Sequence, residues 1–135
     1  MKVRLVFEQD RLVAVKLPKR PPQNLTPDAL RYLAQSLAAM PLAFPQTTAF
    51  RRRVWEAVAR IPFGQTLTYG QLAAQIGHPG AVRAVGGACA ANRLLLAVPC
   101  HRVVSAAKGD VGGFALGQEW KRTLLALEAA ALAQG

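Results

Sequence analysis

Apolar and polar residues alternate twice near the start of the chain, over positions 3–8 and 11–17, around Glu8-Gln9-Asp10. Val3, Leu5 and Phe7 share one side, and Leu12 (or Val13) to Leu17 repeat the pattern. A period of two belongs to half-buried strands, so the pattern predicts a β-hairpin. Pro18 to Gln23 contains three prolines, which lack the N–H a central strand needs, and reads as a connector. The period then lengthens. Thr26-Pro27-Asp28 has the form of a helix start, with threonine as cap and proline at the first position. Leu30, Leu33, Leu37 and Met40 continue at helical spacing until Pro41. Leu42 to Gln46 reads as a short linker. The expected division is a short N-terminal subdomain over 1–45 and a second unit over 46–135.

The second unit is mostly helical in pattern. A helix is predicted from about Thr48 to Arg60, with Phe50, Val54, Ala57, Val58 and Ile61 inward and Ile61-Pro62-Phe63-Gly64 ending it. Thr68 and Gln71 stand three apart, as in a capping box, before a short helix that turns Leu72, Ala73 and Ile76 inward. Gly77-His78-Pro79-Gly80 makes a turn, and a second helix follows from about Ala81 to Ala91. Two short helices joined this way form a helix-turn-helix. A last helix runs from about Gly117 to Ala133, with Trp120, Leu124, Leu127 and Ala131 inward. Glu128 falls on that stripe and requires a partner there, either His101 or a backbone donor. The predicted fold is α/β of the α+β kind. A small hairpin-plus-helix subdomain precedes a mostly helical domain with a winged-helix-like helix-turn-helix.

The length of 135 residues suffices for one domain with a proper core, and 52% hydrophobic content excludes disorder. No apolar run approaches the roughly 20 residues of a membrane span. Met1-Lys2-Val3-Arg4 leads into alternation and not into a signal sequence, so a cytoplasmic protein is expected. The cysteines are Cys89 and Cys100 and the histidines His78 and His101. Their spacing matches no zinc pattern, so neither metal nor cofactor is expected, and the thiols suit a reducing compartment. The charge changes the picture most. Seventeen basic against seven acidic residues give +10, which suits a polyanion, nucleic acid before membrane. Arg51, Arg52 and Arg53 sit near a helix start, where the dipole disfavours cations. Either an external phosphate compensates, or the band is a solvated face.

The second helix of the helix-turn-helix, Ala81 to Ala91, carries one charge, Arg83, among small or apolar residues. A major-groove reader displays several long polar side chains. A glycine–alanine face instead lets backbone approach a surface closely, as a widened minor groove would require. Further on, the apolar run Leu94 to Val98 ends at Pro99-Cys100-His101-Arg102. A histidine beside a cysteine can yield a thiolate nucleophile; the plainer reading is a buried cysteine. Ser105 to Gly113 reads as a loop.

Pro99-Cys100-His101-Arg102-Val103, with Thr68-Tyr69-Gly70-Gln71-Leu72-Ala73, Arg83-Ala84-Val85-Gly86 and Asn92 upstream and Gly112-Gly113-Phe114, Gly117 and Glu128 downstream, resembles the O6-alkylguanine-DNA alkyltransferases, also called methylated-DNA–protein-cysteine methyltransferases. The resemblance covers roughly residues 47–130. It implies stoichiometric transfer of an alkyl group from guanine O6, with thymine O4 as a second candidate position, to Cys100. His101 would act as base through a water, Glu128 would orient it, and Asn92 would hold the turn behind the active-site segment. Arg83 would fill the stack where the guanine leaves, and Tyr69 would push the 3′ phosphate. Val103 and Ala115 would read the flipped base through backbone groups. Thr68, Gln71, Ala81 and Phe114 complete the implied contact surface. The implied partner is double-stranded DNA carrying O6-alkylguanine, bound by a monomer. Phe114 departs from a usual tyrosine, and Arg93 and Leu95 from prolines. Two other readings remain: a lesion-binding relative without chemistry, which would lack the cysteine, and a helix-turn-helix regulator.

Overall fold

Gln9 and Asp10 both take left-handed backbone (φ 50° and 63°), the tight hairpin turn that matches strand twist. They reverse the chain between β1 (Arg4–Glu8) and β2 (Arg11–Lys16). The computed structural model describes residues 1–107 and 111–133. The middle of the expected Ser105–Gly113 loop, 108–110, and the last two residues of the second unit lie outside it.

The hairpin is not a plain alternation. Phe7 pairs with Leu12 but Val6 with Ala14, so Val13 is an extra residue in β2. This bulge puts Leu12 and Val15, three apart in sequence, on one face, and both are buried. Phe7 shares that face but lies near the turn and is half exposed. The free edge of β2 is also used. Leu12 N–H donates to the Pro41 carbonyl (2.8 Å), Ala43 N–H to Leu12 (2.9 Å) and Val15 N–H to Arg93 (2.9 Å). The expected linker is therefore held against the hairpin, and the hairpin against the stretch leading to Cys100.

α1 (Pro27–Ala38) starts as its sequence requires. Thr26 Oγ1 accepts from Ala29 N–H (3.1 Å), and Pro27 occupies the first turn. Leu30, Ala34 and Leu37 are buried and the helix packs on α5 (Gln118–Ala133); Leu33 is half-buried, and Met40 lies beyond the helix end. α2 (Ala49–Val58) is capped by Thr48 and buries Val54, Trp55 and Val58. β3 (Leu67–Thr68) leads directly into α3 (Tyr69–Gln75), whose Thr68–Gln71 capping box is complete in both directions. After the turn comes α4 (Val82–Ala90), with Val85, Ala88 and Cys89 inward. Trp55, which the sequence pattern did not single out, donates its indole N–H to the Ala88 carbonyl (2.8 Å) and fixes α4 on α2. β3 pairs in parallel with β4 (Val103–Val104), so Tyr69 starts its helix beside the segment that follows Cys100.

One buried cluster runs through both parts of the chain, from Leu12, Val15, Leu30 and Leu37 to Val54, Leu72, Val98 and Leu124. No helix among the described residues is long and apolar enough to cross a membrane.

Candidate active site

The segment before Cys100 is shaped by one side chain. Asn92 follows α4, and both ends of its amide are used: Nδ2 donates to the Val98 carbonyl (2.8 Å) and Oδ1 accepts from Leu94 N–H (2.9 Å). The apolar run between them is therefore looped, not extended. Val98 N–H donates to Leu94, Ala97 to Leu95 and Cys100 to Val98, each at 2.8 Å. Leu96 takes φ 67°, a left-handed conformation that is costly for a leucine and is held by its surroundings. Cys100–Arg102 then forms a single 3-10 turn. Everything from Leu94 to Val103 is buried.

Within that turn Cys100 is 2% exposed and His101 fully buried. His101 Nε2 is bonded to Glu128 Oε2. Of the two partners the sequence offered for Glu128, both are present, because Gly64 N–H also donates to Oε1 (2.8 Å). A third partner was not foreseen. Arg102 grips the same carboxylate with two nitrogens, Nε to Oε1 (2.8 Å) and Nη2 to Oε2 (3.1 Å), and its Nη1 donates to the Ile61 carbonyl (2.9 Å). Burial pushes the Glu128 carboxyl up, but the bonds from His101 and Arg102 outweigh it and hold it at about 2. The carboxylate is thus ionised, so a neutral His101 carries its proton on Nε2. Nδ1 is then the basic nitrogen, buried and without a protein partner among the described residues. Burial lowers the imidazole pKa. Glu128 opposes this, while Arg102 and Lys121 reinforce it. His101 is accordingly neutral at neutral pH.

The Cys100 thiol is held well above its ordinary pKa by its contact with Cys89 and by burial, against a weaker pull from Asn92 and Lys121. At rest it is a thiol. Cys89 is buried on the inner face of α4, and its neighbour Cys100 lowers its thiol pKa.

Lys121 is another residue that the sequence pattern did not single out. It is fully buried, and its Nζ donates to the carbonyls of Val103 (2.5 Å) and Gly113 (2.9 Å) and to the Tyr69 hydroxyl (3.2 Å). The signal was present: position 121 is three before Leu124 and seven before Glu128, on the same face of α5. Tyr69 in turn donates to the Gly113 carbonyl (3.2 Å). Gly112, at φ 84°, lies so close to that ring that a Cβ would stand 2.6 Å from the hydroxyl. Phe114 meets the His101 ring edge-on, centroids 6.2 Å apart.

The predicted residues therefore fall into two groups. Asn92, Cys100, His101 and Glu128 meet in one buried centre, and Lys121 links Val103 and Tyr69 to each other beside it. Arg83, Gln71 and Ala115 are exposed, and Ala81 is half-buried. On α4 the outward side consists of Val82, Arg83, Ala84, Gly87 and Ala90, and a Cβ added at Gly86 or Gly87 would meet nothing within 4 Å. Thr68 and Gln71 use their side-chain oxygens in the capping box. Of the arginine band, Arg53 donates to the Ile76 carbonyl at the end of α3 (2.6 Å) and Arg52 lies 5.6 Å from the Phe44 ring centre. Two of the three thus have partners inside the protein, and Arg51 is exposed.

Comparison with known proteins bears on this arrangement. The family model described as 6-O-methylguanine DNA methyltransferase, DNA binding domain, matches residues 49–130. A methylated-DNA–protein-cysteine methyltransferase from Mycolicibacterium paratuberculosis is 53% identical over 79 residues, 58% of this chain and 47% of that one. The corresponding Salmonella typhimurium protein is 45% identical over 106 residues, 77% of this chain and 61% of the relative. The chain thus spans less than two thirds of the length of either. The crystal structure of Mycobacterium tuberculosis OGT in complex with DNA superposes with a TM-score of 0.76 at 36% identity, covering 94% of this chain and 86% of that one. By its matched residues and its architecture, the chain belongs to the 6-O-methylguanine DNA methyltransferase family.

Proposed function

We propose that this protein repairs DNA by moving a methyl or other small alkyl group from guanine O6 to Cys100 Sγ, once per molecule. The observation that carries the reading is the buried His101–Glu128 pair in the turn that starts at Cys100, where an ionised carboxylate holds the imidazole proton on Nε2 and leaves Nδ1 basic. Because Cys100 rests as a thiol, its proton must leave as the sulfur attacks. His101 Nδ1 receives it through a water, and Glu128 stabilises the imidazolium so formed. The S–C bond forms as the C–O6 bond breaks. The electron pair of that bond returns to the guanine, which takes up a proton. A thioether has no easy hydrolytic exit, so the protein is consumed. Asn92 keeps Cys100 in position by shaping the loop before it.

A duplex hides guanine O6, so the nucleotide must turn out of the stack. The outer face of α4 suits that task. Its small residues allow a close approach to the duplex, and Arg83 is the single long cation on it. The net charge of +10 supplies the phosphate attraction. The proposed partner is thus double-stranded DNA carrying O6-alkylguanine, bound by a monomer without metal or cofactor. Two buried free thiols fit the reducing cytoplasm. Thymine O4 is a second proposed target. A lesion-binding protein without chemistry would have no use for a cysteine beside an oriented base.

The test is the mass of the intact chain after incubation with a duplex containing O6-methylguanine. A gain of one methyl group that disappears in Cys100→Ser is expected. No gain in the wild-type chain, or a gain kept in Cys100→Ser, overturns the reading.

A further inference from the structure

The Glu128 carboxylate does not belong to His101 alone. Four donors fill it: His101 Nε2, Arg102 Nε and Nη2, and Gly64 N–H. In a simple nucleophile–base–carboxylate line the carboxylate would bear its full charge on the imidazole and favour the protonated ring. Here a guanidinium that is 6% exposed takes both carboxylate oxygens.

Arg102 is itself held from three sides. Its fork faces Glu128 on α5 and its remaining nitrogen faces the Ile61 carbonyl beyond α2. Its guanidinium carbon lies 5.3 Å from the centre of the Phe63 ring, which the Arg31 guanidinium of α1 also approaches at 5.1 Å. Such a fit uses the planar fork, and a lysine, a point charge on a flexible stem, cannot reproduce it. Arg102 therefore fixes the carboxylate in place relative to the turn that carries Cys100 and His101. The sequence reading gave this arginine no role beyond its place in the motif.

We propose that Arg102 is a positioning residue for alkyl transfer: by sharing Glu128 it keeps the carboxylate oriented while leaving His101 a neutral base. The inference rests on the alkyl-transfer reading and deepens it. The charged groups that act on His101 are Glu128 and Lys121 from α5 and Arg102 from its own turn, with the Phe114 edge from the following loop. Of these only Glu128 favours the imidazolium. Removing the Arg102 guanidinium removes a positive charge that opposes protonation, so the His101 pKa rises. More of the ring is then protonated near neutrality, and fewer molecules hold a base ready for the Cys100 proton.

The experiment is a nitrogen-15 NMR titration of the histidines in the full chain, which has only His78 and His101, paired with methyl-transfer rates across pH. In Arg102→Gln the His101 pKa is expected to rise by about one unit, and the acidic limb of the rate profile to move up by the same amount. In Arg102→Lys the charge stays and the fork is lost. The His101 pKa is expected to stay at the wild-type value while transfer slows about tenfold at every pH. An unchanged His101 pKa in Arg102→Gln, or a wild-type rate in Arg102→Lys, overturns the proposal. If Arg102→Gln melts below the assay temperature, Glu128→Gln is compared with Glu128→Gln/Arg102→Gln, where no buried anion is left unpaired. There too the loss of the guanidinium should raise the His101 pKa, and an unchanged value overturns the proposal. The titration needs no DNA. A chain that takes up no methyl therefore defeats the functional reading whatever His101 does, and a methylated chain with an unmoved His101 defeats only the role of Arg102.

Discussion

The two sides of α4 are built on opposite principles. Its outer side carries Arg83 among small and short apolar residues, and its Gly87 faces open space. Its inner side packs Val85, Ala88 and Cys89 onto α2 and α3, inside a fold whose buried centre holds Asn92, His101, Arg102, Lys121 and Glu128, all bonded to one another or to backbone. On the outer side Val82, Arg83, Ala84, Gly87 and Ala90 are exposed, and all but Arg83 are as small or short as the proposed close approach of a duplex requires. In the buried centre the bonds that would perform chemistry are also bonds that hold the protein together. Stability and activity should therefore separate on one side and fall together on the other.

The largest expected effect breaks the centre. Glu128→Ala leaves Arg102 and His101 buried without their carboxylate, and losing one partner of a buried ion pair costs about 3–5 kcal/mol. Urea unfolding measures it, with transfer lost in parallel. A stability change under about 1 kcal/mol would show that the carboxylate is not integral to the core.

The next effect follows from titration. Both Glu128 and His101 have pKa values lowered by the fold, Glu128 from 4.5 to about 2 and His101 to below 6.5. In each case the unfolded chain binds protons first as pH falls, so acid favours unfolding. Stability should be fully present above pH 6.5, decline below it as unfolded His101 is protonated, and fall more steeply below 4.5. Urea midpoints that stay constant from neutrality to about pH 4 would contradict the linkage.

On the outer side the signs should diverge. Gly87 is helical with free space around it, so Gly87→Ala should stabilise the chain by up to about 1 kcal/mol. The added methyl stands on the surface proposed to meet DNA, so duplex binding should weaken. Weaker folding together with unchanged binding would remove the close-approach explanation. Arg83→Ala should have the smallest effect on folding, within about 0.5 kcal/mol, and yet be selective in function. It should slow repair of duplex DNA strongly and reaction with free O6-benzylguanine much less, since the free base needs no flipping. Equal losses on both substrates would place Arg83 in support of the active site instead.

Periodicity made the elements legible, because Thr26, Thr48 and Thr68 each start a helix whose apolar spacing fixes its buried face. It also marked Glu128 as a carboxylate in need of a partner. What stayed hidden was non-local or non-periodic. The Val13 bulge changes which β2 residues share a face, and only the pairing with β1 reveals it. The loop from Leu94 to Cys100 reads as a plain apolar run because Asn92, outside it, supplies the bonds that fold it. Arg102 and Lys121 were passed over because a cation is expected at the surface. Their burial is compensated by the carboxylate and carbonyls of segments far away in sequence.

The central claim is that Cys100, and not its buried neighbour Cys89, accepts the alkyl group. Peptide-level mass spectrometry after reaction with excess O6-methylguanine duplex decides it. One methyl per chain is expected, on the peptide carrying Cys100, with Cys89 still a free thiol and no further transfer however long the reaction runs. A methyl on Cys89, or continued turnover without a modified Cys100, would contradict it.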